Sequence, residues 1–164
     1  MEQITSKRSD ILHVHSCGRQ GLGDFIDEFK RRGYGKCKNI VASEYIYDMP
    51  IYLKAADVVM CRSGAMTLSE LATAGVASVL IPSPNVTNNH QLKNAMEFSA
   101  KNAAFVIDEK KNGDKENAVR YVRDLINHRE LRDEMSRNAT CFAHPDASEI
   151  IARNIINAVK DDKA

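Results

Sequence analysis

Ser63, Gly64, Ala65, Thr67 and Glu70 fall within ADVVMCRSGAMTLSELATAG, residues 56–75, where an apolar strand-like run meets a helix-like run. The first backbone N–H groups of a helix have no internal partner and carry the positive end of its dipole. Small residues at that point let an anion come close, so R-S-G-A between a strand and a helix can cradle a phosphate. Thr67 and Glu70 stand three apart and share a face that is not the Leu68, Leu71, Ala72 stripe. A carboxylate on that face can accept hydrogen bonds from two neighbouring hydroxyls, as a ribose diol offers. Phosphate at the helix start and ribose at Glu70 together describe a nucleoside diphosphate site. The same residues allow a plainer reading, with Ser63 as an N-cap, or with Thr67 and Glu70 as a capping box that starts the helix later.

A second polar cluster follows in PSPNVTNNHQ, residues 82–91. Two prolines shape a loop, and Asn88, Asn89, His90 and Gln91 open a helix. Amide and imidazole groups both donate and accept, which suits sugar hydroxyls and amides. Helix capping by Asn88 or Asn89 is the competing explanation. His13, His15 and Cys17 alternate and would face one way on a strand; burial in a parallel sheet explains them better than a metal site. The glycines of CGRQGLGDF do not have the GxGxxG spacing, and no acidic residue follows in the place a dinucleotide fold requires. No Walker loop, local Ser-His-Asp signature or zinc-hydrolase helix is present in the sequence.

These residues need elements to hold them, and the apolar periods alternate between strand and helix. Strands are predicted at Ile11–His15, Asn39–Ser43, Asp57–Cys61, Ala77–Ile81 and Ala103–Ile107. A loop with Gly18, Gly21 and Gly23 leads to an amphipathic run, Asp24–Arg32, with Phe25, Ile26 and Phe29 on one side and Gly33 and Gly35 stopping it. Asp48 can cap a short helix with Pro50 in its first turn. Helices are predicted at 65–74 and at Asn88–Lys101, the latter with Leu92, Ala95 and Met96 inward. After a polar turn at Lys110–Asp114 the chain reads as helical. Ala118, Val122, Leu125 and Ile126 line one helix, Leu131, Met135 and Ala139 a second, and Ile151, Ile155, Ala158 and Val159 the last. This order implies an α/β fold, a parallel sheet of about five short strands covered by helices and joined by right-handed crossovers. Ligands of such sheets sit outside the carboxyl ends of the strands, where both polar clusters fall.

Composition narrows the classes. The 164 residues suit one domain, and 43% hydrophobic content can build a core. A net charge of +1 gives no field for nucleic acid. No apolar run approaches the ~18 residues of a membrane span, and MEQITSKRSD lacks the apolar core of a signal peptide. Four cysteines with no CxxC pair favour reduced thiols in a cytoplasmic protein.

The stretch YIYDMPIYLKAADVVMCRSGAMTLSELATAGVASVLIPSPNVTNNHQLKNA resembles the carboxy-terminal domain of the MurG-type transferases. That family adds N-acetylglucosamine to lipid-linked muramyl-pentapeptide in peptidoglycan synthesis. The resemblance runs from near Ile11 to the end, including HPDASEIIARNI, and CRSGA-x-T-x-SE is its most specific string. It implies a two-domain GT-B fold of Rossmann-like halves, of which the carboxy-terminal half holds UDP-N-acetylglucosamine (UDP-GlcNAc). On this chain Ile46 would meet uracil through its backbone. Gly64, Ala65, Met66 and Thr67 would face the diphosphate and sugar, and Glu70 the ribose. His90 and Gln91 occupy the place of two glutamines that contact the GlcNAc ring; His90 departs from that pair. Arg62 and Ser63 match the motif and would chiefly shape the turn. No cofactor or metal is implied.

The family's acceptor-binding amino-terminal domain, with its candidate catalytic base and membrane-docking surface, and its glycine-rich GGS loop have no counterpart here. The expectation is therefore a single donor domain, 1–164, with its catalytic residue elsewhere and little turnover alone. Its partners would be UDP-GlcNAc, an amino-terminal domain or partner chain and, through that partner, a lipid-linked acceptor. The complete enzyme would lie on the inner face of the cell membrane. A UDP-GlcNAc 2-epimerase fragment and a non-catalytic module that keeps the nucleotide pocket are the alternatives.

Overall fold

The computed structural model describes residues 4–111 and 114–161. They form two compact units, Met1–Tyr52 and Leu53–Ala164. All strand pairing in both is parallel, so the expected α/β class with helix-flanked parallel strands is observed. Where one sheet is expected, the strands among the described residues pair as two, of two and three strands.

In the first unit, β1 (His13–Ser16) pairs with β2 (Ile40–Ser43), His13 opposite Ile40. Helix α1 (Gly18–Arg31) starts well before the predicted Asp24, and the three-glycine stretch read as a loop is its first turns. Aromatic packing outweighs the helix cost of those glycines, about 1 kcal/mol each. His15 stacks on Phe25 at 4.5 Å, Phe25 meets Phe29 at 5.9 Å, and Phe29 meets Tyr34 at 5.7 Å. Asn39 holds the preceding segment by donating to the carbonyls of Thr5, Arg8 and Ile11. Helix α2 (Met49–Ala55) carries the chain into the second unit.

There, β3 (Val58–Cys61), β4 (Ala77–Leu80) and β5 (Ala104–Val106) pair in that order. All four residues of β4 are buried. Since alternate strand residues point to opposite faces, helices must cover both. On one face Ala77 and Val79 pack with Ile107, Leu125 and Met135. Ile107 directly follows β5, and Leu125 and Met135 come with α5 (Asp114–Asn127) and α6 (Arg129–Thr140). Helices α3 (Ala65–Ala74) and α4 (His90–Ala100) bury Leu68, Leu71, Ala72, Ala95 and Phe98. Helix α3 matches the predicted bounds and closes on Gly75, whose φ is +65°. The Val76 N–H returns to the Leu71 carbonyl at 3.3 Å and the Gly75 N–H to Ala72 at 3.2 Å, a Schellman closure.

Other expectations need correction. Met96, expected inward, is 53% exposed; Phe98 takes the buried place and stacks on Phe142 at 4.2 Å. Strand β3, whose consecutive apolar residues at 57–61 read as a buried parallel strand, leaves Met60 52% exposed; among the described residues it pairs on one side only. The last helix, α7 (Ala147–Asp161), keeps its predicted apolar stripe, but Ile151, Ile155, Ala158 and Val159 are all exposed. Of the polar turn expected at 110–114, residues 112 and 113 lie outside the described residues, and Asp114 opens α5.

Candidate functional site

Eight of the nine expected site residues gather where β3 and β4 lead into α3 and α4. The ninth, Ile46, is half-buried in the first unit. It lies between the exposed Tyr45 and Tyr47, whose rings meet edge to face at 5.1 Å.

Gly64, in extended conformation (φ −65°, ψ 150°), turns the chain from β3 into α3 and offers no side-chain cap. The capping readings of the sequence are thereby excluded. Ser63 is one residue too early to cap, and Thr67 lies inside a helix that has already begun at Ala65. The N–H groups of Ala65, Met66 and Thr67 precede the first helical hydrogen bond, Leu68 N–H to the Gly64 carbonyl at 3.0 Å. Ala65 and Met66 are exposed. Glu70 is also exposed, and its carboxylate has no hydrogen-bond or ion-pair partner among the described residues. Five residues of helix separate it from Ala65, about 7.5 Å along the axis. Burial, and then the charge of Glu70, push the Cys61 thiol up to about 12. Glu70 therefore acts electrostatically on the carboxyl end of β3.

Ser63 is fully buried, and its hydroxyl donates to the Gln91 carbonyl at 2.8 Å. That bond joins the start of α3 to the start of α4. Arg62 Nη1 donates to the carbonyl of Ile81 at 3.1 Å and to Glu109 Oε2 at 2.6 Å, linking the carboxyl ends of β3, β4 and β5. The turn-shaping role expected for Arg62 and Ser63 has this physical form.

Before α4, Asn88 (φ 55°) and Asn89 (φ 52°) are both left-handed, and neither side chain caps the helix. Two successive strained residues cost about 1–3 kcal/mol each and delay the helix from the predicted Asn88 to His90. They set the directions of the next two side chains. His90 Nδ1 lies 2.9 Å from the Thr87 carbonyl and must donate to it, which leaves Nε2 of the neutral ring an acceptor. Gln91 Oε1 accepts from the Ser83 N–H at 2.9 Å, which leaves its amide NH2 a donor. Adjacent residues thus present one acceptor and one donor.

Ser83 and Glu109 escaped the reading of the sequence. Their only signal is position, each just beyond the carboxyl end of a strand. His13 and His15 belong to the aromatic packing of the first unit, their rings edge to face at 5.8 Å. Among the described residues no three His, Cys, Asp or Glu side chains are grouped to hold a metal. A cavity of about 740 Å³ lined by Lys7, Lys36, Cys37 and Lys38 lies before β1 and β2, at the opposite strand ends from those that carry sites in such folds.

The family described as glycosyltransferase family 28 C-terminal domain matches residues 1–151. The chain belongs to this family. It is 39% identical, over 99% of its length, to the UDP-N-acetylglucosamine--N-acetylmuramyl-(pentapeptide) pyrophosphoryl-undecaprenol N-acetylglucosamine transferase of Acetivibrio thermocellus, covering 46% of that protein. It is 38% identical, over 79% of its length, to the transferase of the same name from Bacillus licheniformis, covering 34% of it. The crystal structure of Acinetobacter baumannii MurG is similar at a TM-score of 0.70 and 28% identity, over 88% of this chain and 40% of that one. The chain thus spans less than half the length of these relatives.

Proposed function

We propose that this chain binds UDP-GlcNAc as the donor half of an inverting N-acetylglucosaminyltransferase whose acceptor is lipid-linked MurNAc-pentapeptide. The observation that carries the reading is the uncapped start of α3 with an unpartnered Glu70 on the same helix, inside the family 28 match. The diphosphate would take the N–H groups of Ala65, Met66 and Thr67. Glu70 would accept both ribose hydroxyls, and His90 and Gln91 would meet the sugar with their free acceptor and donor.

In the complete protein the C4 hydroxyl of the acceptor would attack the anomeric carbon as the bond to UDP breaks. Charge building on the departing diphosphate would be offset by the α3 dipole, fixed before the reaction begins. No residue of this chain is assigned as the base; that group would come from an amino-terminal acceptor domain or partner chain. Among the described residues no helix is long and apolar enough to cross a membrane, so contact with a lipid-linked acceptor would also fall to that partner. This reading places the complete enzyme on the cytoplasmic face of the membrane.

Titration calorimetry tests the donor site, with UDP-GlcNAc as ligand and UDP-glucose and ADP as controls. Selective, saturable UDP-GlcNAc binding is expected. Glu70→Ala should weaken it about 10- to 150-fold, the cost of roughly 1.5–3 kcal/mol of charge-assisted hydrogen bonding. Deoxyuridine analogues should lose less. Equal losses for ribose and deoxyribose ligands would remove Glu70 from the ribose.

A further inference from the structure

The cavity of about 740 Å³ before β1 and β2 lies within the first unit and shares no residue with the donor site. Two segments wall it, residues 6–12 ahead of β1 and residues 36–39 ahead of β2. Asn39 ties the walls together. Its Nδ2 donates to the carbonyls of Thr5, Arg8 and Ile11 at 3.1, 2.9 and 2.8 Å, and the His13 N–H donates to the Asn39 carbonyl at 2.9 Å. The walls are therefore fixed to each other before any ligand arrives, which spares a ligand the cost of ordering them.

Lys7, Lys36 and Lys38 all line the cavity, and all are exposed. Among the described residues none of the three ammonium groups has an ion-pair or hydrogen-bond partner. The one carboxylate in the lining, Asp10, is already engaged: Arg8 Nε donates to its Oδ1 at 2.9 Å and Arg8 Nη2 to its Oδ2 at 2.7 Å. Its charge is met by Arg8 and does not offset the lysines. Three positive charges thus face one concavity in a chain whose net charge is +1. Charges of one sign lining a cleft add their fields inside it and attract the opposite sign.

Ammonium groups meet phosphate as point charges, whereas the planar fork of arginine is the better match for a carboxylate. The lining carries hydroxyls at Ser6 and Ser9, and no aromatic ring on which a nucleobase could stack. Its volume falls in the range of small-molecule sites. We propose that this cavity binds a phosphate-bearing anion with two or more negative charges and no nucleobase. Lys7 meets it from the wall ahead of β1, and Lys36 and Lys38 from the wall ahead of β2. None of the residues assigned to the donor takes part, so the proposal stands or falls independently of that site.

The test uses the full 164-residue chain, with inorganic pyrophosphate as the probe. Calorimetry is done at low ionic strength, because salt screens exposed charges. Saturable binding is expected. Cys37 lines the cavity and is half-buried, so pyrophosphate should slow its alkylation by iodoacetamide; the exposed Cys141, outside the cavity, should react as before. The triple variant Lys7→Ala, Lys36→Ala, Lys38→Ala should weaken binding about tenfold or more, since each exposed ion pair contributes up to roughly fivefold. A control triple variant, Lys30→Ala, Lys101→Ala, Lys160→Ala, carries the same net charge, touches no residue of the lining and should bind like wild type. Phosphatidylglycerol vesicles form a second arm. Vesicle binding that needs the three lining lysines, without binding of pyrophosphate, would assign the same phosphate chemistry to a lipid headgroup. The proposal is overturned by absence of binding in both arms or by equal losses in the two triple variants. It is also overturned by pyrophosphate binding that leaves Cys37 alkylation unchanged, which would put the anion elsewhere on the chain.

Discussion

The buried Ser63 hydroxyl donates to the Gln91 carbonyl at 2.8 Å, so the turn that opens α3 and the turn that opens α4 are one hydrogen-bonded piece. The two polar clusters of the sequence, which this bond joins across 28 residues, answer to the same small side chain. The residue least available to a ligand is the one that aligns the two helix starts.

Ser63→Ala should therefore act in two ways. The Gln91 carbonyl loses its side-chain partner, which costs about 1–3 kcal/mol in a denaturant titration. The Gln91 amide also loses its fixed position, so UDP-GlcNAc affinity should fall more than UDP affinity. A loss of stability with both affinities unchanged would restrict Ser63 to packing.

Gly75 is held at φ +65°, and an added Cβ would lie 2.9 Å from Thr140 Cγ2. Gly75→Ala combines backbone strain with this clash and should lower stability by about 1–3 kcal/mol. Thr140→Ser removes the offending methyl yet keeps the hydroxyl that donates to the Arg137 carbonyl at 2.7 Å. The double variant should recover the steric share and leave the strain. No recovery in thermal melts would mean that the conformation alone sets the cost.

The elements of the second unit were the more legible in sequence. Helix 65–74 matches its bounds because a junction of small residues opens it and Gly75 closes it. Helix α1 was misjudged because its glycines look like a loop; the stack of His15, Phe25 and Phe29 that overrides them is tertiary. Asn88 and Asn89 were read as polar ligands or caps, and nothing local announces two successive left-handed residues. Likewise no periodicity separates a strand paired on both sides from an apolar strand that pairs, among the described residues, on one, which is why β3 looked buried. The donor chemistry of α3 was legible from residue types, whereas the bonds of Ser63 and Arg62 required the fold.

Ser78 stands in the middle of the buried strand β4, and its hydroxyl has no hydrogen-bond partner among the described residues. Its neighbours Ala77 and Val79 belong to the α5–α6 core, so Ser78 points to the other face. An unpaired hydroxyl in an apolar layer costs more than the methyl that could replace it. Ser78→Ala should raise stability by about 1 kcal/mol. A destabilised variant would imply that the hydroxyl finds a partner in solution.

His13 lies 3.3 Å from Thr5 Oγ1 through its Nδ1 and edge-on to His15. Burial, and then the charge of His15, push its pKa down to about 4 from 6.5. Burial lowers His15 as well. The unfolded imidazole takes a proton as pH falls through 6.5, while the folded ring stays neutral until about 4. Between those values the unfolded state binds more protons, so falling pH favours unfolding. Above 6.5 both states are neutral and the contribution is level. The carboxylates of Asp10 and Glu28, lowered mainly by hydrogen bonds from Arg8 and from Arg32 and Arg31, act in the same direction but begin only below about 5. Urea midpoints at about pH 7.5, 6.5 and 5.5 should therefore decline through a range in which carboxylates contribute little. His13→Phe, which keeps an aromatic ring beside His15, should flatten that decline. Equal slopes for variant and wild type would transfer the pH dependence to other groups.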